Sequence, residues 1–121
     1  MNEKKTLVLG ASDNPSRYSY LAMERLRSHG HPVVAVGRKH SFVAGIEINT
    51  EKIQWENIDT VTLYLNPVHQ QQYYDYILSL HPKRIIFNPG AENEELITLA
   101  EEKGISTIEA CTLVMLSTNQ Y

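Results

Sequence analysis

The residues with the most chemistry to offer lie together near the start of the chain, in Gly10-Ala11-Ser12-Asp13-Asn14-Pro15-Ser16-Arg17. Gly10 permits a tight turn and close approach of a ligand, Ser12 and Asn14 can donate hydrogen bonds, and Arg17 adds a fixed positive charge. An apolar run, Leu7-Val8-Leu9, precedes this loop and a helical pattern follows it. The loop would therefore present an anion such as a phosphate to a helix N-terminus. It departs from the dinucleotide fingerprint, because Ser12 stands where a second glycine would and no third glycine opens the helix. The Gly-Lys-Ser/Thr ending of a triphosphate loop is also missing. Read alone, the segment suits either a phosphate cradle or an ordinary strand-to-helix connection.

The elements that must position this loop follow from the spacing of apolar residues. Thr6 to Leu9, Val33 to Val36 and Arg84 to Phe87 read as buried strands, Val61 to Leu65 as a clear strand, Ile105 to Ile108 as the last strand, and Gly45-Ile46-Glu47-Ile48 as a half-exposed edge strand. Tyr18, Leu21, Ala22 and Leu26 share one helix face, and Gly30 ends that helix. A second helix is expected from about Val68 to Leu80, with Tyr73, Tyr76, Ile77 and Leu80 toward one face, and a helical turn over Thr50 to Trp55. Asn93-Glu94-Glu95 caps a third helix that stops at Gly104, and Cys111 to Leu116 forms a short last one. Strands alternating with helices indicate an α/β protein, a three-layer Rossmann-like parallel sheet of six strands in the order 3-2-1-4-5-6. That order sets Gly10 to Arg17 beside Asn66-Pro67 at the topological switch point, where ligands enter.

The tip of the second strand narrows the ligand. Binders of NAD place an acidic residue there for the ribose 2′-hydroxyl. Here Gly37-Arg38-Lys39-His40 places cations instead, which favours a ribose that carries a phosphate, as in NADP or coenzyme A. The alternative is that Arg38 and Lys39 are solvated loop charges.

With 121 residues the chain fits a single domain over residues 1–121, large enough for a core without disulfides or metal. Its formal charge of −3 argues against a nucleic-acid surface, and the lone Cys111 suits a reducing cytoplasm. Asn2-Glu3-Lys4-Lys5 leads into an apolar stretch too short for a signal peptide or a membrane span, so a soluble, cytoplasmic protein is expected. The five histidines take surface or cap positions, and their spacing assembles no metal site, although His40 is within the loop that would meet a ligand phosphate. Glu92, Glu94 and Glu95 read as helix-dipole partners more readily than as acid-base groups. Tyr73, Tyr74 and Tyr76 read as residues of an amphipathic helix, and Trp55 as a local anchor. Cys111 is either a buried thiol or a neighbour of a ligand thiol able to form a mixed disulfide. No catalytic constellation is recognisable. The edge at Ile46 to Ile48 offers a surface for a homodimer.

Gly10-Ala11-Ser12-x-Asn14-Pro15-x-Arg17-x-Ser19-Tyr20, Lys39 after the second strand, Pro67 after the fourth, Gly90-Ala91-Glu92-Asn93-Glu94-Glu95 and the late Cys111 resemble the small single-domain CoA-binding proteins. These are related to the CoA-binding N-terminal domain of the succinyl-CoA synthetase α-subunit. The resemblance runs from about Lys5 to Leu116. It implies that Gly10, Ala11, Ser12, Asn14 and Arg17 surround the pyrophosphate of CoA or an acyl-CoA, that Lys39, with Arg38 beside it, meets the adenosine phosphate, and that Pro67 lines the path of the pantetheine arm. Tyr18 stands where the family usually has proline, and Gly37-Arg38 where it usually has Asn-Pro. The phosphohistidine of the synthetase belongs to a separate domain, so no histidine here is expected to inherit that role. The function expected is non-catalytic binding of CoA in a carrier, sensor or regulatory role. The alternatives are an NADP-binding or redox domain and a ligand-free interaction domain on the same fold.

Overall fold

The computed structural model describes residues 3–121; Asn2, the first residue of the polar N-terminal stretch, lies outside them. Strand β1 (Thr6–Ala11) leads through a loop to helix α1 (Tyr18–Ser28) and back to β2 (Val33–Gly37). Two short strands follow, β3 (Ser41–Val43) and β4 (Ile46–Asn49), before β5 (Thr60–Leu63). Helix α2 (Pro67–Gln70), a 3-10 turn over Gln71–Tyr73 and α3 (Tyr74–Leu80) lead to β6 (Arg84–Phe87). Helix α4 (Glu94–Glu102), β7 (Ser106–Glu109) and α5 (Thr112–Ser117) complete the described chain.

The seven strands form one sheet in the order β3-β4-β2-β1-β5-β6-β7, parallel except for β3. Side chains alternate across it, as the pleat requires. Leu7 and Leu9 join Val61, Leu63, Ile85 and Phe87 beneath α3 and α4, while Val8, Ala35 and Ile48 meet Ala22, Met23 and Leu26 of α1 and Leu116 of α5. Both faces of the central strands are thus buried, which is why they read as unbroken apolar runs.

The expected order holds for the six strands foreseen, and three details differ. A seventh strand, Ser41–Val43, pairs antiparallel with β4, so the sheet edge on that side is there and not at Ile46 to Ile48; β7 forms the other edge. The long second helix is broken, because the 3-10 turn at Gln71–Tyr73 separates α2 from α3. Residues 50–57 form no helical turn but an irregular strap over the face below α3. Side chains hold it: Tyr76 donates to the Ile53 carbonyl at 2.6 Å, Gln54 to the Ser79 hydroxyl at 2.9 Å and Lys52 to the Gln72 carbonyl at 2.7 Å. Trp55 packs half-buried against the core, and burial pushes the Tyr76 hydroxyl up to about 12. No helix among the described residues is long and apolar enough to cross a membrane.

At the amino ends of the strands, Tyr121 bonds through its hydroxyl to Thr6, lies 4.8 Å from the His31 ring and sits under the Arg84 guanidinium at 4.4 Å. The Lys4 amide donates to His31 Nδ1 at 3.0 Å, and burial, aided by the nearby Lys4 charge, holds the imidazole below its ordinary value of 6.5. The fold therefore favours the neutral ring. Its contribution to stability is complete above that ordinary value and is lost as pH falls through the lowered folded one. Thermal unfolding at about pH 7.5 and 5.5 is expected to show a larger acid-side loss for the native chain than for His31→Gln. Equal losses would assign the acid sensitivity elsewhere.

Candidate functional site at the carboxyl strand ends

The carboxyl ends of β1, β2 and β5 meet where two close approaches demand glycine. Pairing runs in step from Thr6↔Val33 to Leu9↔Val36 and then shifts to Ala11↔Gly37, so Gly10 is an extra residue in β1. Gly10 takes φ +94°, and a Cβ there would meet the Tyr64 carbonyl carbon at 3.0 Å. The bulge carries the Ala11 carbonyl over Gly37, where a Cβ would lie 2.3 Å from that oxygen. Across the switch point the Tyr64 amide donates to the Leu9 carbonyl at 2.9 Å, which sets the two predicted loops side by side.

The loop beyond Gly10 is shaped by its own side chains. Ser12 Oγ accepts from the Asn14 amide at 3.0 Å, and Asn14 Oδ1 accepts from the Ser16 amide at 3.0 Å and the Ser16 hydroxyl at 2.8 Å. These are the local turns that short polar side chains favour. They leave the Ser12 proton and the side-chain N–H groups of Asn14 available. Arg17 is exposed and occupies the N-cap of α1 without capping it through its side chain, and no acid stands in the first turn. The first amides of α1 therefore lack side-chain acceptors among the described residues, as at an anion-binding helix end.

Lys39 and Arg38 are exposed in the β2–β3 connection, and here the structure adds a group that sequence reasoning missed. Asp13 Oδ2 accepts from the Ser41 hydroxyl at 2.8 Å and from Lys39 Nζ at 3.3 Å. The Ser41 bond and then Lys39 hold the Asp13 carboxyl below the usual range. A carboxylate thus does stand near the tip of β2, supplied by the first loop and not by the strand itself. His40 pairs with Glu47 at 2.8 Å.

On the other flank, Asn66 caps α2 by accepting from the His69 amide at 3.0 Å, with half-buried Pro67 in the first helical turn. Fully buried Gln70 donates to the Leu65 carbonyl at 2.7 Å and the Ala91 carbonyl at 2.8 Å, and accepts from Asn93 at 2.9 Å. Asn93 also donates to the Tyr74 hydroxyl and caps α4, while Tyr74 donates to Glu95 at 2.9 Å and Glu92 takes the Gly90 amide. Glu92 and Glu95 are accordingly engaged in local structure, while Glu94 stands exposed in the first turn of α4. A second buried network joins Asn88, Thr62 and Thr112, with Asn88 donating to Thr62 Oγ1 at 2.7 Å and accepting the Thr112 amide at 2.9 Å. The Tyr64 hydroxyl is buried close to these threonines, yet it bonds to neither and has no partner among the described residues; burial pushes it upward. Half-buried Cys111 stands next to Thr112, at the N-cap of α5.

A hollow of about 540 Å³ lies at the opposite end of the sheet, lined in part by Glu3, Lys5, Asp59 and Lys83. It mixes both signs of charge and shares no residue with the carboxyl-end loops. The latter alone bring together hydroxyl, amide and guanidinium donors at a helix start, a set suited to a diphosphate. Among the described residues no three His, Cys, Asp or Glu side chains gather as a metal site.

Residues 4–117 match the family model of the CoA binding domain. The chain belongs to that family. A solved but uncharacterised protein is 55% identical, with complete coverage of both chains and a TM-score of 0.97. A hypothetical protein from Pyrococcus horikoshii OT3 is 24% identical with a TM-score of 0.87, covering 97% of this chain and 84% of its own. The dinucleotide-forming acetyl-coenzyme A synthetase 1 of Ca. Korarchaeum cryptofilum, solved with phosphate and ADP, shares the fold at 18% identity and a TM-score of 0.74; 90% of this chain covers 26% of that one. No curated protein matches the sequence.

Proposed function

We propose that this CoA-binding domain holds coenzyme A or an acyl-CoA without catalysing a reaction on it, as a single-domain carrier, sensor or regulatory module. The observation that carries the reading is the open amino end of α1 behind a loop that offers Ser12, Asn14 and Arg17 together. In this reading Gly10, Ala11, Ser12, Asn14 and Arg17 surround the pyrophosphate, Lys39 and Arg38 meet the adenosine phosphate, and Pro67 borders the pantetheine arm. CoA supplies the thiol that carries acyl groups; the chain's own residues bind and orient it.

Calorimetric titration with CoA, acetyl-CoA, NADP and NAD tests the proposal. Heat with the CoA species alone supports it. Heat with NADP alone favours the redox alternative, and silence with all four at millimolar concentration favours an interaction domain that binds none of them. Lys39→Ala is expected to weaken CoA about tenfold, the scale of a lost charge-assisted hydrogen bond, and dephospho-CoA much less. Equal weakening of both would show that Lys39 does not read the ribose phosphate.

A further inference from the structure

Asp13 is the one acid of the phosphate loop, and an acid there is a liability for binding an anion unless it has work of its own. Its position is built. The Ser41 hydroxyl at 2.8 Å and the Lys39 ammonium at 3.3 Å both end on Oδ2, and they reach across from a connection 26 to 28 residues away in sequence. Oδ1 is left outside both contacts. The carboxylate is two-thirds shielded on its side chain while Lys39 remains 77% exposed, so the acid is the fixed partner and the ammonium the movable one. A lysine ammonium has three protons, and one on Asp13 leaves two for a ligand.

We propose that Asp13 and Lys39 act as a pair that reads a ribose bearing a hydroxyl beside a phosphate, with Asp13 as the specificity residue. Asp13 accepts the ribose hydroxyl, and Lys39, anchored to it, contacts the phosphate. The inference rests on the ligand reading above. Two ligands carry this chemistry, CoA with its 3′-phosphate and NADP with its 2′-phosphate, and each has a partner that lacks the phosphate. Asp13 also opposes the phosphate by charge, so it moderates the preference for the phosphorylated form and supports the form with two free hydroxyls.

The test is the ratio of dissociation constants for dephospho-CoA and CoA, and for NAD and NADP, in the native chain and in Asp13→Asn. The asparagine keeps the shape and can still accept from Ser41, and unchanged thermal unfolding verifies that the loop stays folded. Expected is a rise of at least about threefold in the ratio for whichever pair binds, because both ligands lose the carboxylate acceptor while only the phosphorylated one is relieved of the opposing charge, the effect shrinking as salt screens the exposed charges. Ser41→Ala, which leaves both charges in place, should change the ratio by less than about half as much. A ratio unchanged in Asp13→Asn, with measurable binding by the native chain, overturns the assignment alone. No binding of any of the four ligands by the native chain overturns the ligand reading and the assignment with it.

Discussion

Replacing Gly37 by alanine is expected to lower the free energy of unfolding by about 3 kcal/mol, the upper range for overpacking a well-filled site. The added Cβ would lie 2.3 Å from the Ala11 carbonyl oxygen and 2.9 Å from Ile48 Cγ2. A side chain such as Ile48 can turn aside, but the carbonyl belongs to the backbone of β1 and is set by the bulge at Gly10. Relief therefore requires the ends of β1 and β2 to part, which are the ends that carry the Gly10 to Arg17 loop and Lys39. Chemical denaturation should show the loss, and ligand affinity should fall with it. A change below about 0.5 kcal/mol, the scale of an ordinary surface substitution, would mean that the two strand ends are not held together as described.

Gln70→Ala is the second large effect, at about 3 kcal/mol or more. The side chain is fully buried, and its removal strands the Leu65 and Ala91 carbonyls and one Asn93 N–H. Each buried group left unpaired costs about 1–3 kcal/mol, and the vacated volume adds to that. Gln70→Glu separates polarity from packing. It fills the same space but sets a carboxylate oxygen against two carbonyls, so it should destabilise at least as much near neutral pH and recover in part on acidification, when a protonated acid can donate. If Gln70→Glu proved as stable as the native chain at neutral pH, the donor role of Nε2 would be wrong.

These two residues also mark what the sequence reveals and what it conceals. The central strands were legible because each is a short apolar run bounded by glycine, proline or asparagine, and the alternation with helices leaves few topologies. Strand β3 was not. It has three residues, its middle one, Phe42, is 62% exposed, and the hairpin turn that creates it places Ala44 at φ 51° beside Gly45 at φ 79°. Alanine is a poor signal for a left-handed turn position. The Gly10 to Arg17 loop was legible from residue types, since Ser12 and Asn14 act within two residues of themselves. Asp13, and Gln70 apart from its bond to Leu65, act on partners 21 to 28 residues distant, and only the folded sheet brings those partners near. A resemblance to CoA-binding proteins reached the family without reaching these contacts.

The strap over residues 50–57 replaces the helix that would usually cross from β4 to β5. Its own backbone hydrogen bonds are Ile53 N–H to the Glu51 carbonyl and Trp55 N–H to the Ile53 carbonyl. Side-chain bonds hold it down: Lys52 and Gln54 donate from the strap, Tyr76 donates from α3, and Lys5 donates to the Glu56 carbonyl from just before β1. Lifting it breaks no strand pairing, so it is a unit able to open below the free energy of global unfolding. Trp55 is the only tryptophan of the chain and rides on this unit. The protein thus carries an intrinsic optical reporter of a partial opening, placed away from the Gly10 to Arg17 loop, and a change in its emission reads the strap before it reads the fold.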